Sequence, residues 1–318
     1  MKALPRAYSW YQALRLEPKQ NNYHLLTGFA HFIDDQFWPN SEYSSQIKHC
    51  FRVTPVLLKF SKDPDWLAEM VDRMISRKTL GKIGRVLHPS VLRSDFKSLL
   101  VNGVKLEAAW KRPFDKRKTT KRQFLSLDGT KPKFVDVDMM EYNGQMLYLW
   151  HQNLKVQLVG IPFSGYELTF FILVPHNKYG LLNLAHRITA AKLKTMLESA
   201  DYKSVKLRLP RFEINSHLTL KEPLKEMGIR RVFNQSRAQL DRMQREPQRF
   251  EISEFVQKTE ITIAETGTFV SPIQQREQPR VTLTAVHANH PFLFFVRHNL
   301  SGTILFLGRV LDPTEKNV

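Results

Sequence analysis

Cysteine is almost absent from this chain of 318 residues: Cys50 stands alone, which excludes an intramolecular disulfide and any zinc site built on paired cysteines. Packing must hold the core. Glycine is scarce too, at 13, while hydrophobic residues make up 42% and charged residues 25%, a globular balance that excludes collagen-like, coiled-coil and disordered chains. No apolar run approaches the roughly 20 residues that cross a bilayer; the longest, Leu168 to Val174, already contains Thr169. Lys2, Pro5, Arg6, Ser9, Gln12 and Arg15 interrupt the first fifteen residues, so no export signal is visible there. Walker, GxGxxG, HExxH and GxSxG signatures are missing, and no cofactor, metal or catalytic residue is expected. His287 and His290 fall in a strand context where their spacing puts them on opposite faces, so they read as structural.

Acidic residues are also in deficit, 30 against 48 Lys and Arg, giving +18. Such a surplus favours polyanionic partners. The densest stretch holds Lys111, Arg112, Lys116, Arg117, Lys118, Lys121 and Arg122 against Asp115. It reads first as a solvated loop and second as a patch for a sulfated glycan or another polyanion. Aromatics do not interleave with these cations, and no helix-turn-helix or zinc-finger pattern occurs, so neither a specific nucleic acid nor a membrane is expected as partner.

Along the chain, helical and strand periods mix. Tyr23 to Ile33 is apolar or small on both alternating faces and predicts a central strand. Asp63-Pro64-Asp65 offers a cap and a first-turn proline before Trp66, Leu67, Met70, Val71, Met74 and Ile75, with Gly81 as the stop. Leu100 to Trp110 alternates, with Asn102 on the apolar face and Lys105 and Glu107 on the other. Strand-like runs follow at Leu147 to Gly160 and Leu168 to Val174, then a short helix after Thr189. Val205, Leu207 and Leu209 change phase at Pro210 towards Phe212 and Ile214, as at a bulge or strand break. A helix over Leu218 to Met227, stopped by Gly228, contains Pro223, which predicts a kink or a late start. Phe255 to Glu265 predicts a strand, and Phe292 to Arg297 with Thr303 to Val310 a hairpin turning at Asn299 to Gly302. Asn234 and Asn299 match the glycosylation acceptor pattern, and Asn299 is equally a turn former. Residues 266–282 have no period, and so long a gap between two β regions points to function.

Several of these segments, in this order, resemble the serpins. LVNGVKLEAAWKRPF (Leu100 to Phe114) is similar to the third strand of that family's central sheet with its breach tryptophan, Trp110. LPRFEINSHLTLKEPLKEMGIRRVF (Leu209 to Phe233) resembles the segment leading to a late helix, and HANHPFLFFVRHNLSGTILFLGRVLDP (His287 to Pro313) the C-terminal signature. AETGT (Ala264 to Thr268) resembles the hinge of the reactive loop, with Glu265, Gly267 and Thr268.

The resemblance implies one mixed α+β domain over residues 1–318, with three β-sheets, several helices and an exposed reactive loop at about 266–282. The usual opening helices have no counterpart before Tyr8, so an N-terminally incomplete member is expected. The implied function is inhibition of a trypsin-like serine protease by a suicide-substrate mechanism, in which the cleaved loop inserts into the central sheet. Arg280 is the expected scissile residue, Val281 the alternative by one position, and Arg276 a second candidate. Asn102 and Gln257 would sit where the sheet opens, Gln257 replacing a histidine. Against full insertion stand Phe269, Pro272, which cannot donate to a ladder, and Arg276, whose charge would be buried. The other readings are a non-inhibitory carrier or binding protein, for a polyanion among others, and a decoy cut and released. The resemblance implies an extracellular monomer, with the cytoplasm as the alternative.

Overall fold

The computed structural model describes residues 23–128, 131–246, 248–268 and 283–315. β1 (Tyr23–Asp34), β2 (Val56–Leu58), β3 (Ser98–Ala108), β9 (Phe212–Thr219) and β10 (Glu254–Ile263) form a five-stranded sheet in the order β2-β1-β3-β10-β9. β1 is antiparallel to β3, while β3 and β10 run parallel. β1 is interior, as its apolar pattern predicts, but it stands beside the short edge strand β2, and its first half is only partly covered, with His24 and Thr27 exposed.

Two helices flank this sheet's first strands in sequence: α1 (Ser41–Phe51) and α2 (Pro64–Lys78). In α2 the side chain of Asp63 accepts from Trp66 N at 2.9 Å, satisfying one orphan N–H of the first turn. At the other end Gly81, at φ 76, donates to Ser76 O at 2.8 Å, the left-handed closure that glycine favours. The buried face is Leu67, Ala68, Val71 and Ile75; Trp66 lies outside it, 45% exposed. The shift follows from the docking geometry. Gly28 and Gly103 face each other across β1 and β3, and a Cβ on either would come within 3.1 Å of Ile75 Cγ2. This bare spot lets the helix approach closely, and each fully buried aliphatic there contributes about 1.5–3 kcal/mol.

The remaining strands are β4 (Thr120–Ser126), β5 (Lys133–His151), β6 (Val156–Pro162), β7 (Leu168–Pro175), β8 (Asp201–Pro210), β11 (Thr284–His287), β12 (Phe292–His298) and β13 (Ile304–Val310). They run β11-β8-β5-β6-β7-β12-β13, with β4 on β5. The long β5 serves two groups of strands, pairing β4 and β8 along its first part and β6 at its end. The three expected sheets are therefore the five-stranded sheet and two regions joined through β5. Short helices α3 (Leu181–Arg187), α4 (Ala190–Glu198) and α5 (Lys221–Glu226) complete the described fold.

Several local expectations are corrected. Leu147 to Gly160 is two strands, because a turn at residues 152–155 with left-handed Lys155 separates them. The stretch from Lys111 to Arg122 is not one loop: residues Lys116–Lys118 form a 3-10 turn, and Lys121 and Arg122 belong to β4. The phase slip at Pro210 is a change of sheet, β8 lying in one and β9 in the other. Pro223 sits in a helix that starts late, at Lys221. β10 ends at Ile263, short of Glu265, because the chain turns at Ala264. In the C-terminal hairpin Asn299 Nδ2 donates to Tyr166 O and Thr169 Oγ1 at 2.7 and 2.9 Å, so its amide is engaged in holding the turn. His290 is buried with Nε2 2.7 Å from Pro175 O, whereas His287 is exposed.

His31 on β1 is buried between Tyr43 Oη, 2.9 Å from Nδ1, and Ser98 Oγ, 3.3 Å from Nε2. Burial lowers its pKa from 6.5 to about 4. The unfolded chain therefore takes up a proton that the folded one refuses, and stability falls as the pH drops from 6.5 towards 4, by roughly 3 kcal/mol in all. Urea unfolding across that window should show this slope, and His31→Phe should flatten it.

Candidate functional site

The ladder between β3 and β10 stops at the pair Lys105 and Glu260, although both strands continue. Above it, Ala264 to Thr268 closes a turn and lies back against the end of β3. Ala264 N donates to Gly267 O at 2.9 Å and Gly267 N to Ala264 O at 3.2 Å. Thr268 N then donates to Ala108 O at 2.8 Å, and Ala108 N donates to Thr268 Oγ1 at 2.5 Å. Thr268 is buried there, and Gly267 pairs antiparallel with Ala109. At Gly267 φ is 133°, and a Cβ would stand 2.1 Å from Ala108 O. Only glycine fits this crossing.

Two side chains clamp the turn from opposite sides. Trp110 Nε1 donates to Ala264 O at 2.8 Å and its backbone N to Thr266 O at 3.0 Å. Its indole is stacked on Phe163, centroids 4.5 Å apart, with Phe114 and Phe170 at its edges. Packed aromatics of this kind fix the ring, and so the donor it carries. Glu265 is 3% exposed, with Oε1 2.6 Å from Arg211 Nη2 and accepting from Thr119 Oγ1 at 2.9 Å. Burial by itself would raise its pKa, but the hydrogen bond from Arg211, with that from Thr119, holds it below the usual carboxylate range. A buried carboxylate is tolerable because it is paired.

Asn102 and Gln257 are direct neighbours across the parallel ladder. Gln257 Nε2 donates to Thr259 Oγ1 at 3.1 Å, along its own strand. Next to them a link that sequence reasoning missed crosses the same seam: Lys105 Nζ stands 2.9 Å from Glu260 Oε2. Lys105 was readable as an outward residue, but its partner depends on the register of β10. Arg211 was missed likewise, as the residue between β8 and β9 with no pattern of its own.

Among the described residues, two of the seven cations in the basic run have acidic partners. Arg117 pairs Asp115 at 3.0 Å and Lys121 pairs Asp138 at 3.0 Å. Lys111 lies 4.7 Å over the Tyr166 ring, the charge of Arg112 offsets part of the rise that burial causes in the Tyr142 pKa, and Arg122 Nε donates to Thr120 Oγ1 at 3.2 Å. Lys116 and Lys118 stand exposed. Arg280 and Val281 lie outside the described residues, as do Phe269, Pro272 and Arg276. Among the described residues no group of His, Cys, Asp and Glu could hold a metal ion, and no helix is long and apolar enough to cross a membrane.

Comparison with known proteins places this geometry. The pattern that defines the serpins, serine protease inhibitors, matches residues 4–313. The chain belongs to the serpin family. Human Serpin B10 is 30% identical over 300 residues, which cover 92% of this chain and 74% of that protein. Human leukocyte elastase inhibitor is 32% identical over 255 residues, 76% of this chain and 65% of the relative. Among solved structures, uncleaved ovalbumin superposes with a TM-score of 0.82 at 25% identity, covering 95% of this serpin and 78% of ovalbumin. Human thyroxine-binding globulin gives 0.87 at 21% identity, covering 97% and 80%, and shows the likeness of fold alone. The fold is thus the mixed α and β serpin fold, and the family acts as inhibitors or binding proteins, not as enzymes.

The clamp predicts a specific stability change. Glu265→Ala should cost about 2 kcal/mol, less than the 3–5 typical of a fully buried pair, because Arg211 is 45% exposed and can turn to water. Arg211→Ala should cost more, since it strands the buried carboxylate. Denaturant unfolding of the two variants checks the order; equal losses would contradict it.

Proposed function

We propose that this serpin inhibits a trypsin-like serine protease as a suicide substrate, with residues 266–282 as bait and Arg280 at the scissile bond. The protease serine attacks the carbonyl carbon of Arg280, the bond to Val281 breaks, and the Val281 amine leaves with the proton. The acyl-enzyme ester remains. The freed segment beyond Thr268 then inserts between β3 and β10. The observation that carries this reading is the seat of Thr268. It is already hydrogen-bonded antiparallel to Ala108 where the β3–β10 ladder ends, so further residues would extend the same strand direction between the two. Glu265 and Gly267 act as the hinge, Trp110 as its brace, and Asn102 and Gln257 as part of the seam that must open. The protein acts as a monomer, and its compartment, extracellular or cytoplasmic, follows that of its protease.

A second reading, a non-inhibitory binding protein, is favoured by Pro272 and by Gln257. Proline lacks the ladder donor, and an amide directed to Thr259 leaves the seam without a side-chain bond between Gln257 and Asn102. Lys111 to Arg122 would serve as a polyanion patch in that reading, through Lys116 and Lys118.

Incubation with trypsin followed by denaturing electrophoresis distinguishes the two. Inhibition gives a covalent band that survives boiling in detergent and disappears with Arg280→Ala; a band retained by that variant and lost with Val281→Pro would move the scissile bond. Pro272→Ala should increase the trapped fraction. Clean cleavage, with no band and no rise in melting temperature, would leave the binding reading.

A further inference from the structure

A cleft of about 670 Å3 opens between the end of α5 and the turn that follows it, lined by Lys225, Arg230, Arg231 and Arg237 and by no carboxylate. Its walls are fixed locally. Gly228, at φ 98, turns the chain out of α5, and buried Phe233 anchors the short 3-10 turn that carries Arg231. Asn234 then folds the next residues back: its Oδ1 accepts from Ser236 N and Oγ at 3.0 and 2.8 Å, and its carbonyl accepts from Arg237 N and Ala238 N at 3.0 and 2.8 Å. This fold brings Arg237 to the cleft that Arg231 lines.

The charges in the cleft differ from those of the sequence's most basic run. Lys225 has one acidic partner, Glu222 at 2.8 Å, and Arg230 Nε is held by Lys225 O at 3.0 Å. Arg231 and Arg237 have no ion-pair partner among the described residues, and both are exposed. Their planar forks match two oxygens of a sulfate or phosphate. The volume falls in the range of small-ligand sites. Phe233, the sole aromatic in the lining, is buried, so no ring is offered for stacking a nucleobase.

We propose that this cleft binds a compact polyanion, a sugar or polyol bearing several sulfate or phosphate esters. The site is independent of the reactive loop and of Lys111 to Arg122, so it stands or falls apart from the inhibitory reading. Two probes separate the ester types: a heparin-derived tetrasaccharide and inositol hexakisphosphate, titrated calorimetrically at physiological salt. At least one should bind, and Arg231→Ser with Arg237→Ser should weaken it by roughly 10-fold per arginine removed. Both residues are on the surface, so the melting temperature should hold. A second variant, Arg231→Lys with Arg237→Lys, keeps the charge and loses the fork, and should fall between. Lys116→Ser with Lys118→Ser should leave affinity unchanged. Absence of binding to both probes, affinity that follows Lys116 and Lys118 instead, or equal binding of a single-stranded oligonucleotide would overturn the proposal.

Discussion

The bond between buried Glu265 and the half-exposed Arg211 is the constraint on which the top of the five-stranded sheet depends. Glu265 lies just after β10, Arg211 at the passage from β8 to β9, and Thr119 just before β4. One carboxylate thereby ties the two sheets together at the point where the chain leaves β10. Its desolvation is offset only while both donors stay in place. The Trp110 indole, held by Phe163, fixes the other side of the same turn. Gly267 can cross β3 at contact distance because it has no side chain to be displaced. The placement of Thr268 follows from these three.

Much of this arrangement was legible where chemistry is local. The Asp63-Pro64 cap, the Gly81 stop, the helix after Thr189 and the terminal hairpin depend on neighbours a few residues apart, and each appears in place. The family motifs also located Trp110, Glu265, Gly267 and Thr268, which the structure brings together. What was not legible depends on register between distant strands. Lys105 meets Glu260, and Arg211 meets Glu265, only because β3, β9 and β10 pair as they do, and periodicity fixes which face a residue takes but not its partner. Trp66 was misplaced for a related reason. Its spacing suits the apolar face of α2, but the helix docks on the Gly28 and Gly103 pair, which turns Leu67, Ala68, Val71 and Ile75 inward.

Charge gives the same lesson in another form. The run from Lys111 to Arg122 is the densest in sequence, yet Asp115 and Asp138, the second brought in by β5, answer two of its cations. The cleft beyond α5 draws its cations from residues spread between 225 and 237, and among the described residues only Lys225 has an acidic partner. Binding depends on cations that keep their charge free and converge, so density along the chain is a poor guide to it.

The seam between β3 and β10 is closed by less than its length suggests. Lys105 and Glu260 are both partly exposed, and such a pair is worth about 1 kcal/mol or less. An inserted strand would pair with both β3 and β10, so the one ladder lost between them would be replaced by two. The segment that crosses the seam is a firmer restraint. After α2, Asp72 holds Val86 N and Leu87 N at 2.8 and 3.0 Å, while His217 on β9 reaches Val86 O at 2.5 Å. On the β3 side Lys82 pairs Glu107 at 3.0 Å. This strap thus joins β3 to β9 over the top of β10, and widening the sheet by one strand must lengthen it or release an end. His217 is a single hydrogen bond, and Lys82 is 52% exposed. Ile83, Val86 and Leu87 of the strap are themselves buried in the same cluster as Ile75, so widening the sheet would have to release the single His217 bond while the strap stays packed with α2.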